Sequence, residues 1–483
     1  MGGLLLLGAL LRLMDSTDPP LDFHPTRQLR NAIVARGLYY RMLPESPQRE
    51  TALKQMHTVG QYEPPIVETL AALGYRLTGG VNWVVPRLLT TLFWLIGGLA
   101  LFDLARRAVN VDGALVSLAF YLVLPFSVQA SRSFQPDPGM TMWIVLCAWA
   151  LYRWGEQPRW KWAVGAGLFG GMAALTKIVA AYIVGGAAIG VVLLTLGPKK
   201  LIRHPQVWSM AGLMVFPSFV YYLFGNPGGA SEYFVNWTLK LLHLIANPAF
   251  YVRWMSFLHT LFGLTPLFLA LLGVLLAQGR LRALLLGLWG GYFVYGLTLP
   301  YQMYTHSYYH LQLVPIVALS LVPVAQRLFR ALVEQPRIWQ YAGIALMLLA
   351  LAYPSWVARS TLLAEDFRAE PAYWQEVAAA IPENGAIVAL TQDYGYRLMY
   401  FGERKVKLWP SVGEQNLATL RGKSTDFAER FQRFTVGQDY FVVTAMGQWK
   451  WQPELQQYLT ETYSLIAEGD GYLIFDLRHL RTP

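Results

Sequence analysis

Runs of about twenty apolar residues recur along most of this chain, near 84–105, 112–131, 138–154, 161–177, 178–197, 206–225, 253–278, 281–299, 309–328 and 337–357. A bilayer core of about 30 Å takes about 20 apolar residues per helix, so these windows and a shorter one at Gly2–Met14 predict about eleven spans. Composition points the same way. With 483 residues, 55% of them hydrophobic and 14% charged, and a mean hydropathy of +0.34, the chain lies outside the range of soluble globules. The expected fold class is an α-helical polytopic membrane protein.

The basic residues between windows set the orientation. Arg106 and Arg107; Arg153, Arg159 and Lys161; Lys199, Lys200 and Arg203; Arg280 and Arg282; and Arg327, Arg330 and Arg337 all fall in alternate connections. By the positive-inside rule that side is cytoplasmic, and so is the N-terminus. The outer side then receives 15–83, 132–137, a tight turn near Lys177, 226–252, 300–308 and everything after about residue 358. The net charge of +10 is accounted for largely by these cytoplasmic loops, so no nucleic-acid partner is expected. Gly2–Met14 is shorter than a usual span and contains Arg12. It has neither the basic start nor the small-residue cleavage site of a signal peptide, and is expected to extend toward Leu21 as a short first span.

Two segments of the first outer loop, 15–83, have helical periodicity. Residues 25–42 place Leu29, Ile33 and Tyr40 on one stripe, with Arg27, Arg30, Asn31 and Arg41 off it, as in an amphipathic helix on a membrane surface. Pro25 suits the first helical position, which makes His24 the cap and leaves Asp22 just before the helix. The second segment follows Glu63-Pro64-Pro65 and repeats Ile66, Leu70, Leu73 and Leu77. After about residue 360 the apolar runs shorten and charge rises. Trp374–Ala380 reads as helix, and 386–390, 440–444 and 473–475 as strands. The expected division is a membrane domain over 1–359 and a small outer α/β domain over 360–483. The single cysteine, Cys147, lies in an apolar window, so no disulfide or cysteine-based metal site is available.

Gly165-Ala-Gly167-Leu-Phe-Gly170 fits a dinucleotide fingerprint, yet it sits inside an apolar window with no strand before it. Packing of small residues between helices explains it better. There is no Walker A loop, and no nucleotide cofactor is expected. Asn236-Trp-Thr238 is a glycosylation sequon by pattern alone. The remaining polar features gather at the outer ends of spans. Asp137 opens a span, where an acid is costly unless it has a task, or caps a turn between Pro136 and Pro138. Lys177 stands between two apolar windows with almost no loop, as a functional cation or one that snorkels to the interface. Tyr301, Tyr304, His306, Tyr308, Tyr309 and His310 form an aromatic loop that suits an interface belt or contacts to a sugar or lipid phosphate.

The order of these motifs resembles the GT-C glycosyltransferases over roughly residues 1–360. An acid follows the first span at Asp22, then come Tyr62-Glu63-Pro64-Pro65, Arg132-Ser-Phe-Gln-Pro-Asp137, Leu175-Thr176-Lys177 and Tyr308-Tyr-His-Leu-Gln-Leu-Val-Pro315. The nearest likeness is to the branch of protein O-mannosyltransferases, lipid A aminoarabinose transferases and lipopolysaccharide-core galacturonosyltransferases. The resemblance implies inverting transfer of a sugar from a polyprenyl-phosphate donor to a lipid, glycan or protein acceptor outside a cytoplasmic (inner) membrane. It makes Asp22 the catalytic base and Asp137 the second-loop acid; Glu63 stands where many relatives carry histidine. Such a displacement needs a carboxylate to take the acceptor proton and cations for the departing phosphate, for which Arg27, Arg132, Lys177 and Arg253 are placed. His24, Glu63, Tyr308, Tyr309 and His310 complete the expected substrate contacts. Asp22, Glu63 and Asp137 also have the oxygen chemistry to hold Mg²⁺ or Mn²⁺, as in related oligosaccharyltransferases. The competing class is a lipid or sugar transporter or flippase, which would place ionisable groups nearer mid-membrane and often carry internal repeats.

Overall fold

The computed structural model describes residues 1–60, 62–226, 229–422 and 426–481. It divides into two compact units, the first made of Met1–Thr17, Gln61–Gly74 and Asn82–Glu365, the second of Asp18–Gly60, Tyr75–Val81 and Asp366–Pro483.

The first unit is helical. Among the described residues five single helices are long and apolar enough to cross a membrane: Val84–Ala108, Ala180–Leu201, Pro205–Gly225, Ser307–Val333 and Arg337–Leu362. Two bent pairs raise the number to seven if each counts as one span. Asp137–Glu156, Trp160–Thr176 and Gly279–Thr298 occupy three further apolar windows as helices but do not meet that test. Large apolar side chains such as Phe268, Leu286, Leu346 and Leu348 face outward, the surface a lipid-bathed bundle presents.

Two windows read as single spans are sharply bent in the structure. Val111–Val123 and Pro125–Arg132 meet at 60°, because Pro125 has no N–H to continue the ladder and starts a new helix instead. Pro248–Phe262 and Leu264–Leu276 meet at 100°, across Gly263 with φ 76° and ψ 152°. The first helix, Gly2–Leu13, also ends sooner than the expected extension toward Leu21; Asp15 turns the chain in a left-handed conformation with φ 49°.

Glycines set the closest helix contacts. A Cβ on Gly186 would lie 2.3 Å from the Gly287 carbonyl oxygen, and one on Gly291 would lie 2.3 Å from that of Tyr182. Ala180–Leu201 and Gly279–Thr298 therefore touch backbone to backbone. The glycine-rich helix Trp160–Thr176 packs as closely: a Cβ on Gly171 would fall 2.3 Å from the Leu213 oxygen, and on the fingerprint-like glycines Gly167 and Gly170 it would meet the Leu213 and Met214 side chains at 2.7 and 2.8 Å.

The second unit contains a five-stranded sheet in the order β2-β1-β3-β5-β4, with β1 Ile387–Leu390, β2 Lys407–Leu408, β3 Tyr440–Val443, β4 Tyr463–Gly469 and β5 Tyr472–Leu480. β1 pairs parallel with both β2 and β3, while β5 runs antiparallel to β3 and β4. Val388, Leu390, Phe441, Val443 and Phe475 point into a core closed by Trp409 and Trp449. The helix Glu370–Ala380 covers the expected Trp374–Ala380.

Helix Pro25–Arg41 belongs to this unit and corrects the expectation of a one-sided surface helix. Every residue from Gln28 to Ala35 is buried, Arg30 and Asn31 included. The Arg30 guanidinium donates to the Gly60 carbonyl from Nε at 2.9 Å and Nη2 at 2.7 Å, which is what allows a cation to be buried there. On the helix Ile66–Thr78, in contrast, Leu70, Leu73 and Leu77 stay exposed while Val67, Ala71, Ala72 and Tyr75 are buried, so the apolar stripe seen in the sequence faces outward.

Candidate functional site

In the first unit the polar centre is an ion pair between two helix ends. Asp137 begins the helix Asp137–Glu156, and Lys177 caps the C-terminus of Trp160–Thr176. The Lys177 ammonium donates to Asp137 Oδ1 at 2.8 Å, with the two residues 4% and 1% exposed. Both positions complement the helix dipoles, acid at an N-terminus and cation at a C-terminus. The second carboxylate oxygen of Asp137 is buried with no hydrogen-bond partner among the described residues.

Aromatic rings close over the ammonium. Nζ of Lys177 lies 4.7 Å from the centre of Tyr308 and 4.4 Å from that of Tyr309, so the cation rests on two π faces. Tyr309 is itself fixed. Its hydroxyl bonds that of Tyr233 at 2.7 Å, its carbonyl accepts from the Tyr295 hydroxyl at 3.2 Å, and its ring stacks on Tyr295 at 9° between planes.

The neighbouring sequence candidates take different places. His310 is fully buried; its Nε2–H donates to the Met303 carbonyl at 3.0 Å, which leaves Nδ1 to accept from the Tyr292 hydroxyl at 2.6 Å. That is the environment of a histidine tying a loop to a helix. Arg132 is also buried, and its Nη2 donates to the Met14 and Asp15 carbonyls at 2.7 and 3.2 Å, holding the end of the first helix. Arg87 donates to the same Asp15 carbonyl. Arg253 is exposed on Pro248–Phe262, its guanidinium 5.6 Å from the Tyr304 ring centre. Glu63 is half-buried just before the helix Ile66–Thr78.

The second unit holds Asp22, His24 and Arg27. Asp22 is half-buried, and its Oδ1 accepts from Gln28 Nε2 at 3.2 Å. Gln28 also donates to the Phe23 carbonyl at 2.8 Å, so one buried side chain fixes both residues to the helix. His24 caps Pro25–Arg41 through its carbonyl, which accepts from the N–H groups of Arg27 and Gln28, and its ring lies edge-on to Phe23 at 4.7 Å. Its φ of 46° is left-handed, an uncommon conformation for a residue with a side chain. Arg27 is half-buried in the first turn. Sequence reasoning passed over Gln28, although its place one turn into a helix that begins at Pro25 was a usable signal.

Two further partners of this segment were also not read from the sequence. Thr26 donates to Asp393 Oδ1 at 2.9 Å, and Asp393 Oδ2 accepts from Arg397 Nε at 2.6 Å. Arg397 reaches Glu370 as well, at 3.0 Å. Burial lowers the Arg397 pKa, but the charges of Asp393 and Glu370 outweigh it and raise the guanidinium above its usual value. Among the described residues no group of three or more His, Cys, Asp or Glu side chains is arranged to hold a metal ion, so no step through Mg²⁺ or Mn²⁺ is derived.

Residues 62–223 match the sequence profile of the dolichyl-phosphate-mannose-protein mannosyltransferase family. No curated protein sequence matches the chain. Among solved structures, ArnT from Cupriavidus metallidurans bound to undecaprenyl phosphate is similar over 98% of this chain and 96% of its own, at 16% identity and a TM-score of 0.57. The oligosaccharyltransferase AglB from Archaeoglobus fulgidus, in complex with an inhibitory peptide and a dolichol-phosphate, is similar over 98% of this chain and 74% of its own, at 13% identity and a TM-score of 0.53. Arabinofuranosyltransferase AftD from Mycobacteria is similar over 92% of this chain and 35% of its own, at 17% identity and a TM-score of 0.50. The chain therefore has the GT-C fold of these solved membrane proteins, and its residues 62–223 match the dolichyl-phosphate-mannose-protein mannosyltransferase profile.

Proposed function

We propose that this protein is an inverting glycosyltransferase that moves a sugar from a polyprenyl-phosphate donor to an acceptor at the outer face of a bacterial inner membrane. The observation that carries the reading is the buried Asp137–Lys177 pair roofed by Tyr308 and Tyr309, in a helical unit whose fold is that of proteins solved with undecaprenyl and dolichol phosphates. An Asp–Lys pair without access to water is costly to build for stability alone, since a well-packed apolar pair serves as well or better.

In the proposed reaction the acceptor hydroxyl attacks the anomeric carbon, the bond from that carbon to the phosphate oxygen breaks, and polyprenyl phosphate leaves. The proton passes to the Asp22 carboxylate, which the hydrogen bond from Gln28 orients. The leaving phosphate gains charge, and a fixed cation stabilises it more than a mobile one. Lys177, held by Asp137 at 2.8 Å, is such a cation, and Arg253 is an exposed arginine available to a headgroup phosphate. Arg132 and His310 support the surrounding helices in this scheme.

The test is transfer in proteoliposomes. The donors are undecaprenyl-phosphate-linked mannose, aminoarabinose and galacturonic acid, offered with membrane glycolipid and protein extracts as acceptors. Release of undecaprenyl phosphate coupled to acceptor labelling is expected, with Asp22→Asn inactive and normally folded. Full activity of Asp22→Asn removes the base assignment, and movement of labelled lipid across the bilayer without transfer favours a flippase instead.

A further inference from the structure

We propose that Asp393, in the loop that follows the inner strand β1, is a positioning residue that acts through Thr26 on the segment carrying Asp22, an inference that rests on Asp22 being the base. The place it occupies in the sheet is unusual for a purely structural aspartate. β1 lies between β2 and β3 and is parallel to both, so the connections leaving β1 and β3 diverge at their carboxyl ends. In open parallel sheets that crevice is where a ligand is held. Here the loop after β1 holds the chain's own helix, through Asp393 and Thr26.

Three successive residues of that loop are left-handed, Asp393 at φ 51°, Tyr394 at 58° and Gly395 at 76°. A left-handed residue with a side chain is strained and persists only where its surroundings over-determine it, which is typical of functional positions. The surroundings of Asp393 do so. One carboxylate oxygen accepts from Arg397, which is anchored in turn on Glu370, whose Oε2 also accepts from Trp374 Nε1 at 2.7 Å. The other oxygen accepts from the Thr26 hydroxyl, one residue into Pro25–Arg41. From the same first turn Gln28 reaches back to Asp22, and His24, between them, is the other strained residue of the segment. A continuous path of fixed groups thus runs from Glu370 through Arg397, Asp393 and Thr26 to Gln28 and Asp22.

The helix does not depend on this bond for its seat. Arg36 donates to the Tyr400 carbonyl at 2.9 Å with its guanidinium 3.9 Å from that ring's centre and to Gln55 Oε1 at 2.6 Å, and Arg30 donates twice to the Gly60 carbonyl. Losing Thr26–Asp393 should therefore loosen the start of the helix and leave the rest in place.

The experiment compares Thr26→Val, Thr26→Ser, Asp393→Asn and Asp22→Asn in the full chain in proteoliposomes, with whichever of the three undecaprenyl-phosphate sugars supports transfer. Thr26→Val should lower kcat about ten- to hundredfold, the scale of a small misplacement of a catalytic group, with KM for the donor and the thermal midpoint unchanged. Thr26→Ser, which keeps the hydroxyl, should restore kcat, and Asp393→Asn should fall between. Hydrogen exchange should rise over residues 22–28 in Thr26→Val and nowhere else, a readout that needs no substrate. Wild-type kcat and wild-type exchange in Thr26→Val overturn the inference, as does a loss of kcat that only follows a lowered thermal midpoint. If Asp22→Asn is inactive while Thr26→Val is fully active, positioning by Asp393 alone is refuted. An active Asp22→Asn refutes the base assignment itself.

Discussion

Replacing Lys177 by methionine keeps most of the side-chain volume and removes the only charge that Asp137 is paired with in the described structure. Asp137 is 1% exposed and its second oxygen already has no hydrogen-bond partner among the described residues, so water cannot take over from the ammonium without a rearrangement. Breaking a buried ion pair from one side costs about 3–5 kcal/mol. At about 1.4 kcal/mol per factor of ten, that lowers the folding equilibrium constant by about two to nearly four orders of magnitude. The reverse substitution, Asp137→Asn, should be milder. It leaves the ammonium against the faces of Tyr308 and Tyr309, and a desolvated cation–π contact is worth about 2 kcal/mol. The double variant Asp137→Leu with Lys177→Met should recover most of the stability and none of the transfer. The assay is reversible unfolding in mixed micelles followed by tryptophan fluorescence, run beside the donor-release measurement. Equal and additive losses for the two single variants, or losses below about 0.5 kcal/mol as at an ordinary surface site, would refute the buried-pair reasoning.

Tyr309→Phe removes only the bond to the Tyr233 hydroxyl and keeps the ring over Lys177; it should cost about 0.5–1.5 kcal/mol in the same unfolding assay and leave donor binding intact. Gly291→Ala inserts a methyl group where the Tyr182 carbonyl stands 2.3 Å away, and should lower stability by at least about 1–3 kcal/mol in that assay, since backbone cannot step aside as a rotamer can.

The spans and the C-terminal strands were legible because their signals are local. A window of apolar residues identifies a helix wherever it lies, and Ile387–Leu390 and Tyr440–Val443 are short β-rich runs bounded by turns. β2 escaped notice at two residues, and β4 because its burial is partial along its length, as suits an edge strand. The breaks at Pro125 and Gly263 each had a visible residue behind them, but proline and glycine also occur inside unbroken membrane helices, so identity alone did not decide. Pro354 is such a case, inside Arg337–Leu362.

The candidate site was legible in its residue types and not in its pairings. Asp137 and Lys177 both stood out as ionisable groups at the ends of apolar windows, yet nothing local in the sequence joins positions 40 residues apart on different helices. Arg132 stood out for the same reason and proves to hold main-chain carbonyls, which carry no side-chain signature. The helix Pro25–Arg41 was misread because a buried arginine looks like a surface one until its carbonyl partner is known. Asp393 lies in a part of the chain that reads as a separate domain, so its bond to Thr26 had no local trace.

The backbone-to-backbone contact between Ala180–Leu201 and Gly279–Thr298 also bears on how the bundle can change shape. Where no side chain separates two helices, there is no rotamer to repack, and sliding one past the other would drive peptide groups together. The two helices are thus built as a keel, with no side-chain freedom along their seam. Any opening for the proposed lipid donor is then left to the elements that are already broken, the bends at Pro125 and Gly263, where a few torsions can swing a half-helix without parting the seam.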